Sequence, residues 1–155
     1  MTVAAQLSDG FKTLITITGI TATFEEIELT APELDAGGEI DQTTMRNTRW
    51  RTKIGKQLAT LGTLSVKVAY SAGAYSQLSG ILGTNRHVVV RFPDTSTLTF
   101  YAFLNKFTPG DFKDGERPEG TLEFMPTNLN TANPPVETAP VLVTNTTVTT
   151  TFAPI

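Results

Sequence analysis

Residues 88–110, VVVRFPDTSTLTFYAFLNKFTPG, decide the fold class because they hold two runs of branched and aromatic residues around a short polar segment. Such residues favour β-strands, where their side chains pack well on a pleated surface. The separating segment PDTST, residues 93–97, has the proline and aspartate that tight turns use. The sequence therefore predicts a β-hairpin whose strands cover 86–92 and 98–107.

The second strand of this hairpin alternates in a way that predicts its two faces, because successive side chains of a strand point in opposite directions. One face carries the apolar residues Leu98, Phe100, Ala102 and Leu104. The other face carries Thr99, Tyr101, Phe103 and Asn105. Since aromatic rings occur on both faces, we expect both to be covered, by the core or by a neighbouring chain.

The rest of the chain predicts further strands and one helix. Strand patterns cover 11–18, 23–29, 58–71 and 121–125. In the second of these we expect Phe24, Glu26 and Glu28 to share one face. Ser71 can cap a helix over 72–82, and Gly83 is suited to end it. The predicted apolar face of that helix comprises Tyr75, Leu78, Ile81 and Leu82.

The composition indicates a single, mainly β domain of the class that folds in a reducing compartment. The chain has 155 residues and is rich in threonine, whose branched Cβ disfavours helix interiors. Its net charge of −3 argues against a protein dedicated to wrapping nucleic acid. It has no cysteine, no signal-peptide pattern and no apolar run of about 18 residues. We therefore expect a soluble protein made in the cytosol, without a membrane partner.

The segment 30–57 is the longest part of the chain without a strand or helix pattern, and we predict a long excursion between strands. Structureless loops beyond about 12–15 residues are uncommon in compact domains unless they are functional or disordered. Residues 25–41 carry only acidic charges. The charged residues that follow are all basic and surround Trp50: Arg46, Arg49, Arg51, Lys53 and Lys56. This division of charge indicates a functional loop.

Three interpretations of the loop are open on the residues alone. The basic stretch 46–56 with Trp50 can bind phosphates and stack on a base, as in a small nucleic-acid-binding β domain. The acidic part resembles an oxygen-ligand cation site, although it lacks EF-hand spacing. Its alternating carboxylates are those of Glu33, Asp35, Glu39 and Asp41. The third interpretation fits the charge division best: segments of opposite sign favour head-to-tail association of identical copies into rings or open stacks.

No enzyme motif is present in the sequence. The nucleophile elbow, the P-loop, the dinucleotide fingerprint and the zincin motif are all missing. His87 is the single histidine and stands at the start of an apolar strand, where a structural role is far more common than general-base catalysis. We therefore predict a protein that is not an enzyme and that uses no cofactor or metal.

The composition changes near Pro126. Residues 133–140 hold three prolines, and Glu137 is the only charged residue between 129 and 155. A lone threonine-rich strand cannot bury enough surface to fold alone. We therefore divide the chain into a domain at 1–127 and an extended Pro/Thr-rich C-terminal arm at 128–155. We expect this arm either to be disordered or to dock on something, such as a neighbouring subunit.

Several short motifs occur in a characteristic order between Gly10 and Pro126. A segment of the EIDxTT type opens the long loop with Glu39, Ile40, Asp41, Thr43 and Thr44. A helix of the SAGAYSQLSGILGTN type precedes the hairpin, which is matched by Phe92, Pro93, Asp94, Thr99, Phe100 and Phe103. Its exit turn is matched by Phe107, Pro109 and Gly110. In this order, the motifs resemble the tail tube (major tail) proteins of long-tailed, siphovirus-type bacteriophages.

The resemblance implies a β-sandwich or barrel-like fold with one short flanking α-helix, a long inter-strand loop and, in this chain, an additional C-terminal arm. It implies hexameric rings that stack into a hollow tube for genome delivery, with other tail proteins at the tube ends and double-stranded DNA passing through. The expected location is the virion tail, assembled in the host cytoplasm. A tail-terminator or a ring protein like those of secretion tubes would show similar motifs.

The tube interpretation assigns roles to charged residues. In such tubes the long loop commonly reaches the adjacent ring. We therefore predict contacts between subunits and between rings at Glu39, Asp41, Arg46, Arg49, Trp50, Arg51, Lys53 and Lys56. A wall past which DNA slides should be neutral or negative, because each cationic contact would add affinity through counterion release. The candidates for the lumen are Glu25, Glu26 and Glu28.

Overall fold

The computed structural model describes residues 13–20, 24–70, 72–144 and 149–151. The strands of this part are β1 (Leu14–Ile17), β2 (Glu26–Thr30), β3 (Leu34–Asp35), β4 (Glu39–Asp41), β5 (Lys53–Gly55), β6 (Thr60–Leu61), β7 (Leu64–Ala69), β8 (Asn85–Arg91), β9 (Thr97–Pro109), β10 (Glu119–Pro126), β11 (Val141–Val143) and β12 (Thr149–Thr151). The helix is α1 (Ala72–Ile81). The predicted mainly β class with one short helix is confirmed.

The predicted hairpin is formed by β8 and β9, with His87 opposite Tyr101 and Arg91 opposite Thr97. Its turn closes through hydrogen bonds from the Phe92 N–H to the Ser96 carbonyl oxygen (2.9 Å) and from the Thr95 N–H to the Phe92 carbonyl oxygen (3.0 Å). The Asp94 carboxylate accepts hydrogen bonds from the backbone N–H and the hydroxyl of Ser96. These side-chain and backbone bonds from Ser96 lower the pKa of Asp94. The sequence PDTST thus specifies its own turn.

The main sheet is antiparallel and has the strand order β1-β8-β9-β10-β7-β2. Its two edges come together, because the Ile15 N–H of β1 donates a hydrogen bond to Glu26 Oε1 of β2 over 2.9 Å. The six strands therefore curl into a barrel that stays open between β1 and β2, where a carboxylate bridges the gap. This arrangement is the barrel-like form of the expected fold.

One hydrophobic core fills the curled sheet. The alternation on β9 is confirmed: Leu98, Phe100, Ala102 and Leu104 are buried, and their neighbours are half-buried or exposed. Strands β7 and β10 supply further large side chains of the core, including Leu64, Val66, Leu122 and Phe124. On these three strands the second face lies away from the core, because side chains alternate.

Helix α1 packs on the core through Ala74, Leu78 and Ile81, which recur at helical spacing. The predicted apolar face was wrong for Tyr75 and Leu82, which are 44 % and 56 % exposed. Leu82 lies beyond the helix end and forms an isolated bridge with Leu104. The helix ends at Ile81, and Gly83 follows it as the predicted stop residue: its φ of 74° is positive, which suits glycine, and its N–H donates to the Leu104 carbonyl oxygen. No helix of the described residues is long and apolar enough to cross a membrane.

A β-bulge in β2 corrects the predicted faces of this strand. Glu26 pairs with Val68, whereas Glu28 pairs with Lys67, so Ile27 is the extra residue. The bulge reverses the alternation: Phe24 is buried, Leu29 packs against the same core, and Glu28 is exposed. The expectation that Glu28 shares a face with Phe24 and Glu26 was therefore wrong.

The predicted long excursion is ordered rather than structureless. Strand β3 pairs with β6, and β4 pairs with β5, in two short antiparallel ladders. Residues 34–61 therefore form a long hairpin that leaves the main sheet after β2 and returns to it at β7. Leu61 at its base is buried in the core.

The described part of the C-terminal arm docks on its own chain. Asn85 Nδ2 of β8 donates to the Leu129 carbonyl oxygen over 2.6 Å, and Leu129 forms a bridge with Glu137 within the arm. Strand β11 then pairs with residues 97–99 of β9, beside β10, and Leu142 packs against the core. Strand β9 is thirteen residues long, which lets β10 and β11 share one of its edges.

Candidate functional site: an exposed charged hairpin

The stem of the long hairpin pairs opposite charges across its two strands. Asp41 lies opposite Lys53, and Glu39 lies opposite Gly55. The ammonium group of Lys53 donates to the Glu39 carboxylate, and Arg51 Nη1 lies 3.5 Å from Asp41 Oδ2. Both pairs are exposed, so each contributes little to stability. Four of the residues predicted at subunit interfaces therefore also pair within one chain.

The tip of the long hairpin is organised by short polar side chains. Thr43 accepts a hydrogen bond from the Thr52 N–H (3.1 Å), and its own N–H donates to the Asp41 carboxylate (2.8 Å). Asn47 Nδ2 donates to the Trp50 carbonyl oxygen over 2.8 Å. These bonds explain why an EIDxTT segment suits this position. Hydrogen bonding by Thr43, together with Arg51, lowers the pKa of Asp41.

The same tip presents apolar and cationic groups to solvent. Met45 is fully exposed and Trp50 is 78 % exposed. Four other exposed apolar side chains lie along the hairpin: Leu34, Ile40, Ile54 and Leu58. Arg46, Arg49 and Lys56 form no ion pair with any described residue. An ordered hairpin that leaves such groups in water is typical of a surface that is covered by another molecule.

The carboxylates that suggested a cation site do not come together. In the part of the chain that the structure describes, no group of three or more His, Cys, Asp or Glu side chains is arranged to hold a metal. Glu39 and Asp41 bind Lys53 and Arg51, and the Asp35 carboxylate accepts the Gly37 N–H over 2.7 Å. Three of the four carboxylates named for the cation-site interpretation, those of Asp35, Glu39 and Asp41, therefore have partners within the hairpin.

The three lumen candidates have different surroundings. Glu25 is exposed, and its backbone oxygen accepts the Ala69 N–H. The Glu26 carboxylate accepts the Ile15 N–H across the gap between β2 and β1. Glu28 is exposed beside Lys67 and raises the pKa of that lysine, although less than Glu119 does. Their place in a lumen stays a prediction.

A second charged surface, which the sequence did not predict, lies on the outer face of β7, β10 and the end of β9. Lys67 Nζ lies 2.9 Å from Glu119 Oε2, and Arg117 Nη2 lies 3.8 Å from Glu119 Oε1. Lys106 Nζ lies 3.6 Å from Glu123 Oε2. Hydrogen bonding from Lys67 is the main reason for the lowered pKa of Glu119. Only the strand register brings these distant residues together.

His87 has a structural environment. Its ring packs edge-on against Tyr101, with ring centroids 5.1 Å apart. Both residues lie on the outer face of the β8–β9 hairpin, since Val88 and Phe100 point into the core. This packing agrees with the predicted structural role.

Comparisons with known proteins rest on structure alone. No family model and no curated protein sequence matches this chain. Among solved structures, a chain of the anti-feeding prophage (AFP) baseplate, determined by cryo-EM with 6-fold symmetry, is similar with a TM-score of 0.62. It is 14 % identical in sequence, and the match covers 81 % of this chain and 94 % of that chain.

A second similar structure comes from the tail of an empty GTA particle, obtained by helical refinement with C6 symmetry. Its TM-score is 0.60 at 14 % identity, and the match covers 78 % of this chain and 95 % of that chain. This chain therefore shares the fold of these two chains. The structural match covers almost the whole length of both known chains.

Proposed function

We propose that this protein is a structural, non-enzymatic subunit of a phage tail tube, in which hexameric rings stack into a hollow conduit for DNA. The observation that carries the proposal is the shared fold. Two particles with six-fold symmetry, one of them helical, contain chains matched over at least 94 % of their length. The proposed location is the tail of a virion, with assembly in the host cytoplasm and other tail proteins at the tube ends.

The long hairpin supports stacking. A tube needs a contact that repeats from ring to ring, and a head-to-tail contact between unlike surfaces of the same subunit extends without limit. The exposed Trp50 can serve as an apolar anchor, while Arg46, Arg49 and Lys56 are free to meet carboxylates of another copy. Arg51 and Lys53 would exchange or share their intrachain partners Asp41 and Glu39.

The open edges of the barrel support ring formation. Strand β2 pairs only with β7 among the described strands, so apart from the Glu26 bridge to Ile15 its other edge has no strand partner there. Such an edge is a template for pairing with another chain. Lateral pairing between subunits would join the sheets of one ring into a continuous wall.

Electron microscopy of the purified protein in negative stain tests the proposal. We expect hollow rods of uniform diameter, with six-fold symmetry in end views. Rings that never stack would favour the tail-terminator or secretion-type ring instead. A protein that stays monomeric at all concentrations and salt conditions would contradict both.

The nucleic-acid alternative makes a different forecast. If residues 46–56 formed a DNA-binding loop, the unassembled subunit would retard duplex DNA at low salt, with a steep loss of binding as salt rises. The intrachain pairing of Arg51 and Lys53 weighs against this outcome. We expect no shift in a gel at about 50 mM salt, and a strong shift would favour the alternative.

A further inference from the structure

The outer face of β7, β10 and the end of β9 differs in chemistry from the long hairpin. We call it the paired face and define it by Ser65, Lys67, Lys106, Glu119, Thr121 and Glu123. These residues point away from the core, since Val66, Leu122 and Phe124 between them are buried. The small side chains of Ser65 and Thr121 separate the charges, and no large apolar group lies among these six.

Lys67 and Lys106 on the paired face, and Arg117 beside it, each have a carboxylate partner in the same chain. Glu119 holds Lys67 at 2.9 Å and Arg117 at 3.8 Å, one on each carboxylate oxygen. Glu123 holds Lys106 at 3.6 Å, and its other oxygen accepts a hydrogen bond from Asn105 Nδ2 at 3.0 Å. Glu28 adds a second negative charge near Lys67. The long hairpin, in contrast, leaves Arg46, Arg49 and Lys56 without such partners.

This pattern has a consequence for a polyanion. A phosphate that approaches a lysine already bonded to a carboxylate meets a neutral pair and the repulsion of the carboxylate oxygens. No counterion is released from such a pair, so the usual gain in affinity for DNA is lost. The surface stays hydrated and polar without attracting a backbone of phosphates.

We propose that the paired face lines the lumen of the tube and that Glu119 and Glu123 mask its cations, so that duplex DNA slides without binding. This inference rests on the proposed tube function and identifies the wall of its conduit. It replaces the idea of a plain acidic lining with one in which opposite charges are paired. Of the three lumen candidates named from the sequence, Glu28 adjoins this face.

The test removes the masking groups while conserving shape. In the variant Glu119→Gln/Glu123→Gln, Lys67, Arg117 and Lys106 lose their partners. We expect the unassembled subunit to bind a fluorescent 20-bp duplex at least about tenfold more tightly at low salt than wild type. The slope of log affinity against log salt should become steeper by about 2–3, one step for each freed cation. Fluorescence anisotropy measures both quantities.

Two matched variants control this experiment. Glu33→Gln/Glu137→Gln makes the same change in net charge away from the paired face and should bind no better than wild type. Adding Lys67→Met and Lys106→Met to the unmasked variant should remove most of the gained affinity. If the unmasked variant binds like wild type, or if the two glutamine pairs gain equally, masking by Glu119 and Glu123 is refuted.

Assembled rods show whether the paired face lies inside or outside the tube. Rods of the unmasked variant, formed with the duplex present and then pelleted, should retain DNA that a nuclease cannot digest. DNA that is retained but digested would place the paired face on the outside and overturn the lumen assignment. If wild-type protein forms no rods, the proposed function fails, while the anisotropy measurement on the subunit still decides whether the cations are masked.

Discussion

Glu26 shows how a single side chain can hold the edges of a curled sheet. Its carboxylate accepts the N–H of Ile15, a backbone donor of edge strand β1 that faces no further strand. A part-buried donor that loses a charged acceptor must find water or remain unbonded. Glu26 cannot be distinguished from Glu25 in the sequence, because its bridging role depends on the position of β1 in the fold.

Glu26→Ala should lower the free energy of unfolding by about 1 kcal/mol, because the Ile15 N–H loses its acceptor. Chemical denaturation measures the change. Glu25→Ala is the matched control, since only the backbone oxygen of Glu25 is used, and it should change stability by less than about 0.5 kcal/mol. Equal effects of the two substitutions would contradict the bridging role.

Glu119→Gln should make stability less dependent on pH. Lys67 lowers the pKa of Glu119 below its ordinary 4.5, and Glu119 raises the pKa of Lys67 above its ordinary 10.5. The pair therefore contributes fully above the ordinary carboxyl pKa and loses this contribution as pH falls through the lower folded-state value. At the alkaline end the contribution is lost as pH rises through the raised lysine pKa.

The measurement is the melting temperature of wild type and of Glu119→Gln across pH. Between the ordinary pKa of the carboxyl group and that of the lysine, we expect the melting temperature of wild type to exceed that of Glu119→Gln by a constant amount. Outside this pH range the difference should shrink. Glu137→Gln, at an exposed site without an ion pair, should follow wild type throughout. A difference that grows on acidification would have the wrong sign for a lowered carboxyl pKa.

At the scale of elements, the hairpin of β8 and β9 was predictable because its signals are local. Pro93 and Asp94 shape the turn, and the alternation along β9 matches its burial. The bulge at Ile27 was not predictable, because β7 sets the register of β2. The ladders of the long hairpin are two or three residues long, which is too short for any period to show. The paired face was not predictable either, because its residues come together only through the register of three strands.

Gly120 in β10 lets the ring of Phe107 on β9 lie against the backbone. A Cβ at Gly120 would lie 2.7 Å from two ring atoms of Phe107, and this ring also packs against Tyr75. Gly120→Ala should therefore cost about 1–3 kcal/mol in unfolding free energy through overpacking. Gly80→Ala is a control of opposite sign: it has open space on α1 and should stabilise by about 0.5–1 kcal/mol.

Strand β11 joins the described part of the C-terminal arm to the main sheet. Leu142 packs against the core beside β9, although it is only half-buried. Leu142→Ala should cost about 1–2 kcal/mol, less than the loss typical of a fully buried leucine. Val136→Ala, on the exposed part of the arm, should have almost no effect. If Leu142→Ala also leaves the denaturation midpoint unchanged, the arm does not stabilise the domain.

At the scale of the whole molecule, the surface has one region whose chemistry suits contacts with other subunits and one whose chemistry suits contact with DNA without binding. The long hairpin combines Trp50 and Met45 with cations that pair with no described residue. The paired face joins each cation to a carboxylate. From the sequence, the charge division in the hairpin was visible because it is contiguous, whereas the paired face was hidden because its members are far apart in the chain.

Arg46→Glu/Arg49→Glu should slow or abolish the formation of rods, because reversed charges would repel the carboxylates of the next copy. These two residues test the intermolecular contact more cleanly than Arg51, which pairs with Asp41 in its own chain. Light scattering follows assembly over time, and the unassembled variant should melt like wild type. Arg46→Lys/Arg49→Lys conserves charge and should assemble. Normal assembly of the reversed variant would contradict the predicted contact.

The pairing of β1 with β8 has a consequence for synthesis of the chain. Leu14 and Ile17 pair with Arg91 and Val88, about 70 residues later. At roughly 5–20 residues per second, a ribosome needs about 4–15 seconds to make the partner strand after β1. During this time Ile15 and Ile17 have no sheet to cover them. The first described strand to be translated therefore stays without a sheet partner until more than half of the chain has been made.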